Sequence, residues 1–120
     1  MGLFSRRRSS PAAAAEPTSA RDKRDATIAH LTDFVATRVG VEAYVEPSNS
    51  FEQTSVLFIA TDGEWTRRKV PDAKTAYEVA RSLGIPCYEV QRTGYPQRYR
   101  DFNSRQNILR KRATRPDPVQ

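Results

Sequence analysis

Cysteine and histidine each occur once in this chain of 120 residues, as Cys87 and His30. A single cysteine excludes an internal disulfide and any cysteine-built metal site. His30, between Ile28 and Leu31, has no second histidine or acid at ligand spacing, so neither a metal ligand nor a general base is expected there. The five glycines are scattered at turns, which leaves no glycine-rich phosphate loop. Long apolar runs are missing too. Nothing approaches the ~20 apolar residues of a membrane span, and the polar stretch from Ser9 to Pro17 lacks the apolar core of a secretory signal. Gly2 is followed by Arg6 where myristoylation wants Ser or Thr. The expected location is cytoplasmic, with a weak membrane-surface contact through Leu3, Phe4 and Arg6–Arg8 in residues 1–8 as the only membrane reading. No cofactor is expected.

Charge is what the chain does have, and its distribution matters more than the total of +6. Residues 1–24 carry six basic and two acidic groups, a balance of +4. Residues 25–95 carry seven and ten, a balance of −3, and residues 96–120 carry seven and two, a balance of +5. A mildly acidic body with cationic ends is expected to meet a polyanion through those ends.

Composition divides the chain into a basic, Ala- and Pro-rich tail over residues 1–21, one α/β domain over 22–112, and a second tail over 113–120. The tails have too few large apolar side chains to offset the entropy of ordering, and both are expected to be disordered. In the domain, Ile28, Leu31, Val35 and Val39 fall on one helical stripe from about Asp22 to Val39, stopped by Gly40. Val41–Glu46 alternates as a half-buried strand. Ser55–Thr61 contains VLFIA, which suits a central strand covered on both faces. Asp62-Gly63 predicts a tight type I′ hairpin into Glu64–Val70. Asp72 is a plausible N-cap for a helix whose stripe is Ala73, Ala76, Ala80 and Leu83, closed by Gly84. Ile85–Gln91 reads as a fourth strand, Thr93–Pro96 as a turn, and Gln97–Arg112 as a last helix docked by Tyr99 and Phe102. The order α-β-β-β-α-β-α predicts an α+β fold, a mixed four-stranded sheet with helices packed on it.

Three chemistries follow from these residues. On the third strand Trp65, Arg67 and Lys69 share a face and Arg68 points away. An aromatic between cations can stack a base and hold its phosphate, whereas the plainer outcome is a charged edge strand with Trp65 on the core rim. Lys74 begins the second helix. Arg98, Arg100, Arg105, Arg110, Lys111 and Arg112 run along the last helix, together with Tyr95 and Tyr99, as a second cationic and aromatic concentration. The leading expectation is a small non-enzymatic protein contacting nucleic acid or a ribonucleoprotein. The alternative is a protein-interaction module or small homo-oligomer, with its interface at the meander edge or the Tyr95–Phe102 region.

The third chemistry is metal-dependent cleavage. The αβββαβ order resembles the core of nucleases that hold Mg²⁺ between carboxylates beside a lysine. That resemblance implies an acid two positions before the lysine, but Arg67 stands two before Lys69. Asp72 with Glu89-Val90-Gln91 only imitates the pattern, so the expectation is a nuclease-like order without activity. Residues 25–84 also resemble, in element order and in Lys69 and Lys74, the double-stranded RNA-binding domain. That family implies a lysine grip on phosphates, but here only Lys74 lies inside the helix turn. The DGEWTRR hairpin (Asp62–Arg68) and the GYPQR turn (Gly94–Arg98) resemble small actinobacterial proteins over about residues 25–106. This resemblance implies a bacterial cytoplasmic setting and brings no activity with it.

Overall fold

In the computed structural model, Ser19–Thr114 are described; of the tails expected over 1–21 and 113–120, residues 1–18 and 115–120 lie outside those residues. The chain divides between His30 and Leu31, inside the first helix, into two units. In the first, α1 (Ala20–Thr37) starts where the Ser19 hydroxyl accepts a hydrogen bond from the Asp22 amide at 3.0 Å, a serine N-cap. Its start at Ala20 places the helix two residues earlier than the stripe predicts. Everything below concerns the second unit, from Leu31 onward.

The elements there follow the predicted order: β1 (Glu42–Glu46), β2 (Ser55–Ile59), β3 (Trp65–Lys69), α2 (Ala73–Ser82), β4 (Cys87–Glu89), α3 (Val90–Thr93) and α4 (Gln97–Thr114). The strands form one mixed sheet in the order β3-β2-β1-β4, with β1–β2 and β2–β3 antiparallel and β1–β4 parallel. All five residues of β2 are buried, as an unbroken apolar run between two covering layers requires.

Pleating sends alternate side chains to opposite faces and creates two cores. On one face Ala43, Val45, Val56 and Phe58 pack with Leu31 and Phe34 of α1 and with Ala76, Val79 and Ala80 of α2. The other face carries Tyr44, Leu57 and Ile59, covered by Trp65, Tyr95 and Tyr99. Leu57 and Ile59 are fully buried, each worth about 1.5–3 kcal/mol of apolar burial.

Four local readings are corrected. The apolar stripe of α1 that enters the core is Leu31, Phe34 and Val35; Val39 lies past the helix end and is exposed. The Asp62-Gly63 hairpin is not a two-residue turn. The Ala60 amide donates to the Glu64 carbonyl, and Gly63 donates back to Ala60, leaving three residues in the loop. Gly63 has φ 93°, so the positive dihedral falls on the last loop residue, as in a turn followed by a bulge. The fourth strand is only Cys87–Glu89, because the chain coils into the one-turn α3 at Val90. Finally, α4 continues through Ala113 to Thr114, past the expected end at Arg112, and Pro116 then follows.

The N-cap of α2 is as read: an Asp72 carboxylate oxygen accepts from the Thr75 amide and hydroxyl, both at 2.8 Å. Those bonds hold the Asp72 pKa below its usual value. Asp72→Ala should lower the midpoint of a urea titration, and an unchanged midpoint would remove the cap from the account.

Candidate functional site

The sheet face away from α1 and α2 decides where the cationic residues go. On it β1 presents Glu42, Tyr44 and Glu46, and β3 presents Trp65, Arg67 and Lys69, flanking the apolar Leu57 and Ile59 of β2. The alternation along the first strand alone reads that strand as half-buried, with Glu42, Tyr44 and Glu46 on the side away from its core. Instead, α4 and the turn before it lie across that side, held by long side chains.

Glu46 is the centre of that clamp. Its two carboxylate oxygens accept from Nε and Nη2 of Arg67 at 2.7 and 2.9 Å, the two-pronged geometry in which charge-assisted bonds are strongest. The Tyr95 hydroxyl donates to the same carboxylate at 2.5 Å. Burial alone would raise the Glu46 pKa, but these donors outweigh it and hold the group below its ordinary value. Tyr95 is correspondingly pushed up to about 12, by burial and by the carboxylate it bonds. Arg67 also donates to the Tyr99 hydroxyl at 3.2 Å and lies over the Trp65 ring. Tyr99 stacks on Tyr95 and meets Trp65 edge-on.

Two further bonds fix the helix. Trp65 Nε1–H donates to Asn103 at 2.7 Å. Arg98 donates to Glu42 at 2.6 Å and to the Ala60 carbonyl at 2.9 Å. The hairpin turn touches α4 directly: a Cβ on Gly63 would stand 2.2 Å from the Arg98 carbonyl oxygen and 2.8 Å from Phe102 Cβ.

The residues read as a nucleic-acid surface therefore separate into three groups. Trp65, Arg67 and Arg98 are drawn into the clamp. Arg68 is half-buried and donates to the Arg67 carbonyl. Lys69 is exposed, 3.6 Å from Glu52, and Lys74 is exposed on the first turn of α2. The others are outward on α4. Arg100 reaches Gln97 at 3.5 Å, Arg105 lies over Phe102 and donates to the Asp62 carbonyl, and Arg110 donates to Asn107. Lys111 and Arg112 are exposed.

Sequence reasoning missed Glu42, Glu46 and Asn103. A signal for the first two existed: acids alternate along β1 opposite alternating cations along β3, two strands apart. What it lacked was the knowledge that a helix covers them.

Past Asn103 the helix leaves the sheet. Every residue from Ser104 to Thr114 is exposed, a free arm of about 16 Å at 1.5 Å per residue. It holds Arg105, Arg110, Lys111 and Arg112 and no carboxylate.

The remaining chemistry is thin. Asp72 is a cap and Glu89 pairs with Arg92 at 2.9 Å. Among the described residues no three His, Cys, Asp or Glu side chains gather as a metal set, and no helix is long and apolar enough to cross a membrane. Burial, then the nearby Glu89, pushes the Cys87 thiol up to about 11, so it stays protonated at neutral pH and is a poor nucleophile. No protein family, curated protein or solved structure matches the chain.

Proposed function

We propose that this protein is a small non-enzymatic binder of nucleic acid or a ribonucleoprotein surface, and that the free end of α4 is its principal contact. The observation that carries this reading is the arm itself: eleven consecutive exposed helical residues, Ser104–Thr114, with four cations and no acid. A helical stretch this short gains little from its own hydrogen bonds, and it has no core packing to add.

The pattern on the arm discriminates among partners. Ile108 and Leu109 are its exposed apolar side chains, and at 3.6 residues per turn they point about 100° apart. They form no apolar stripe of the kind that seats a helix on a membrane surface or in a helix pair. Two such arms would also repel each other. A polyanion is the complementary partner, and the acidic body of the protein keeps it oriented toward the arm.

The test is a fluorescence-anisotropy titration of the full chain against labelled nucleic acid at several salt concentrations. Affinity should fall steeply with salt, the slope reporting the phosphates neutralised. An affinity that does not change with salt, or no binding at any salt, would sink the reading.

A second reading, a protein-interaction module, draws on Phe51. This side chain is 91% exposed at the tip of the β1–β2 loop, which Asn49 pins by accepting from the Phe51 and Glu52 amides at 2.7 and 3.0 Å. Its expected interface at Tyr95–Phe102 is the clamped segment. The loop tip is the better candidate for that reading.

A further inference from the structure

Resting on the polyanion reading above, we infer that the arm of α4 is dimensioned for the major groove of duplex DNA, with cations for both groove walls and Ile108 toward the floor. The argument is angular. Taking about 100° per residue, Ile108 and Ser104 share the side of α4 opposite the docked Tyr99. Lys111 falls about 60° to one side of Ile108 and Arg112 about 40° to the other.

This face is therefore a small, uncharged strip between two cationic flanks. A flat anionic surface needs cations on one side of a helix. A groove with a phosphate backbone on each wall needs them on two. The B-form major groove, about 12 Å wide, admits a helix of about 10–12 Å diameter. It also offers the thymine methyl as an apolar contact for a side chain such as Ile108. The A-form RNA major groove is deep and too narrow for side chains to read, so an RNA duplex cannot take the arm in this way.

The projection of the arm is fixed rather than floppy at its root. Arg98, Tyr99 and Asn103 are bonded to two strands, β1 through Glu42 and β3 through Arg67 and Trp65. Arg105 then ties the first free turn to the hairpin at Asp62. The remaining turns extend beyond that tie.

The experiment compares the full chain and two variants on four labelled probes: a duplex DNA, an RNA duplex of the same sequence, and one single strand of each. Duplex DNA should bind at least about 10-fold tighter than duplex RNA, the scale of one lost helix-in-groove contact set. Ile108→Glu puts a carboxylate on the groove floor. It should weaken duplex DNA binding about 10-fold and single-strand binding far less. Lys111→Ala with Arg112→Ala should lower the duplex DNA salt slope by about 2. All three positions are exposed, and unchanged circular dichroism would certify the fold of each variant.

Duplex RNA bound as tightly as duplex DNA would overturn the groove assignment while leaving a polyanion binder standing. DNA binding indifferent to both variants would overturn it as well, by moving the contact elsewhere in the chain. Failure to bind any of the four probes would instead remove the proposed function, and this inference with it.

Discussion

Glu46→Ala is expected to lower the unfolding free energy by about 2–3 kcal/mol. Removing one partner of a fully buried ion pair costs about 3–5 kcal/mol, because the other charge is left without compensation. Here the Arg67 side chain remains 37% exposed and the Glu46 side chain only 15%, so water can partly rehydrate the guanidinium and the figure is reduced. The Tyr95 hydroxyl loses its acceptor in the same substitution.

The effect carries a pH signature. The Glu46 pKa is lowered in the folded protein. The clamp's contribution is therefore complete above the unfolded carboxylate value of about 4.3 and is lost as pH falls through the folded one. Glu46→Gln should lack that part of the acid-side loss. Denaturant midpoints at pH 7 and across the acid range check both statements. A Glu46→Ala protein within about 0.5 kcal/mol of the parent, the range of an ordinary surface substitution, would show that α4 docks by apolar contact alone.

Gly63→Ala should be worse, with a loss of at least about 3 kcal/mol. A left-handed dihedral costs a non-glycine residue about 1–3 kcal/mol. The steric conflict comes in addition: 2.2 Å from a backbone carbonyl oxygen is a distance that no rotamer change relieves. Either the hairpin or α4 must move.

Trp65, the single tryptophan, lies under the displaced helix and loses its bond to Asn103. Its emission should shift to the red even where the variant remains folded. Gly84→Ala is the control. Gly84 also has a positive φ, 72°, but a Cβ there would meet nothing within 4 Å, so it should show the backbone cost without the shift. Equal behaviour of the two variants would refute the close packing of the turn on α4.

The elements were legible because each is a local event. VLFIA between polar segments is too short for an ordinary helix and suits an interior strand. Asp72 ahead of Ala73–Ser82 offers its carboxylate to the helix amides wherever that helix ends up. Positive φ at Gly40, Gly63 and Gly84 marks the chain reversals. The fourth strand is where local preference misleads. Val90 sits in a β-favouring run, yet the pairing of β4 with β1 ends at Glu89 and Val90 begins a helical turn.

The candidate site was legible only in part, for a reason that one strand makes plain. Trp65, Arg67 and Lys69 were rightly placed on one face of β3, but nothing within five residues says what lies over that face. Lys69 remains in solvent, whereas Arg67 is claimed by Glu46, distant by 21 positions, and Trp65 by Asn103, distant by 38. The sequence by itself determined the elements, their order and the cationic character of the last helix, since these depend on neighbours along the chain. Only the tertiary structure decided which arginines hold α4 to the sheet and which project beyond it. Whether a guanidinium faces a carboxylate or water depends on residues brought together by the sheet's pairing and the helix's path across it.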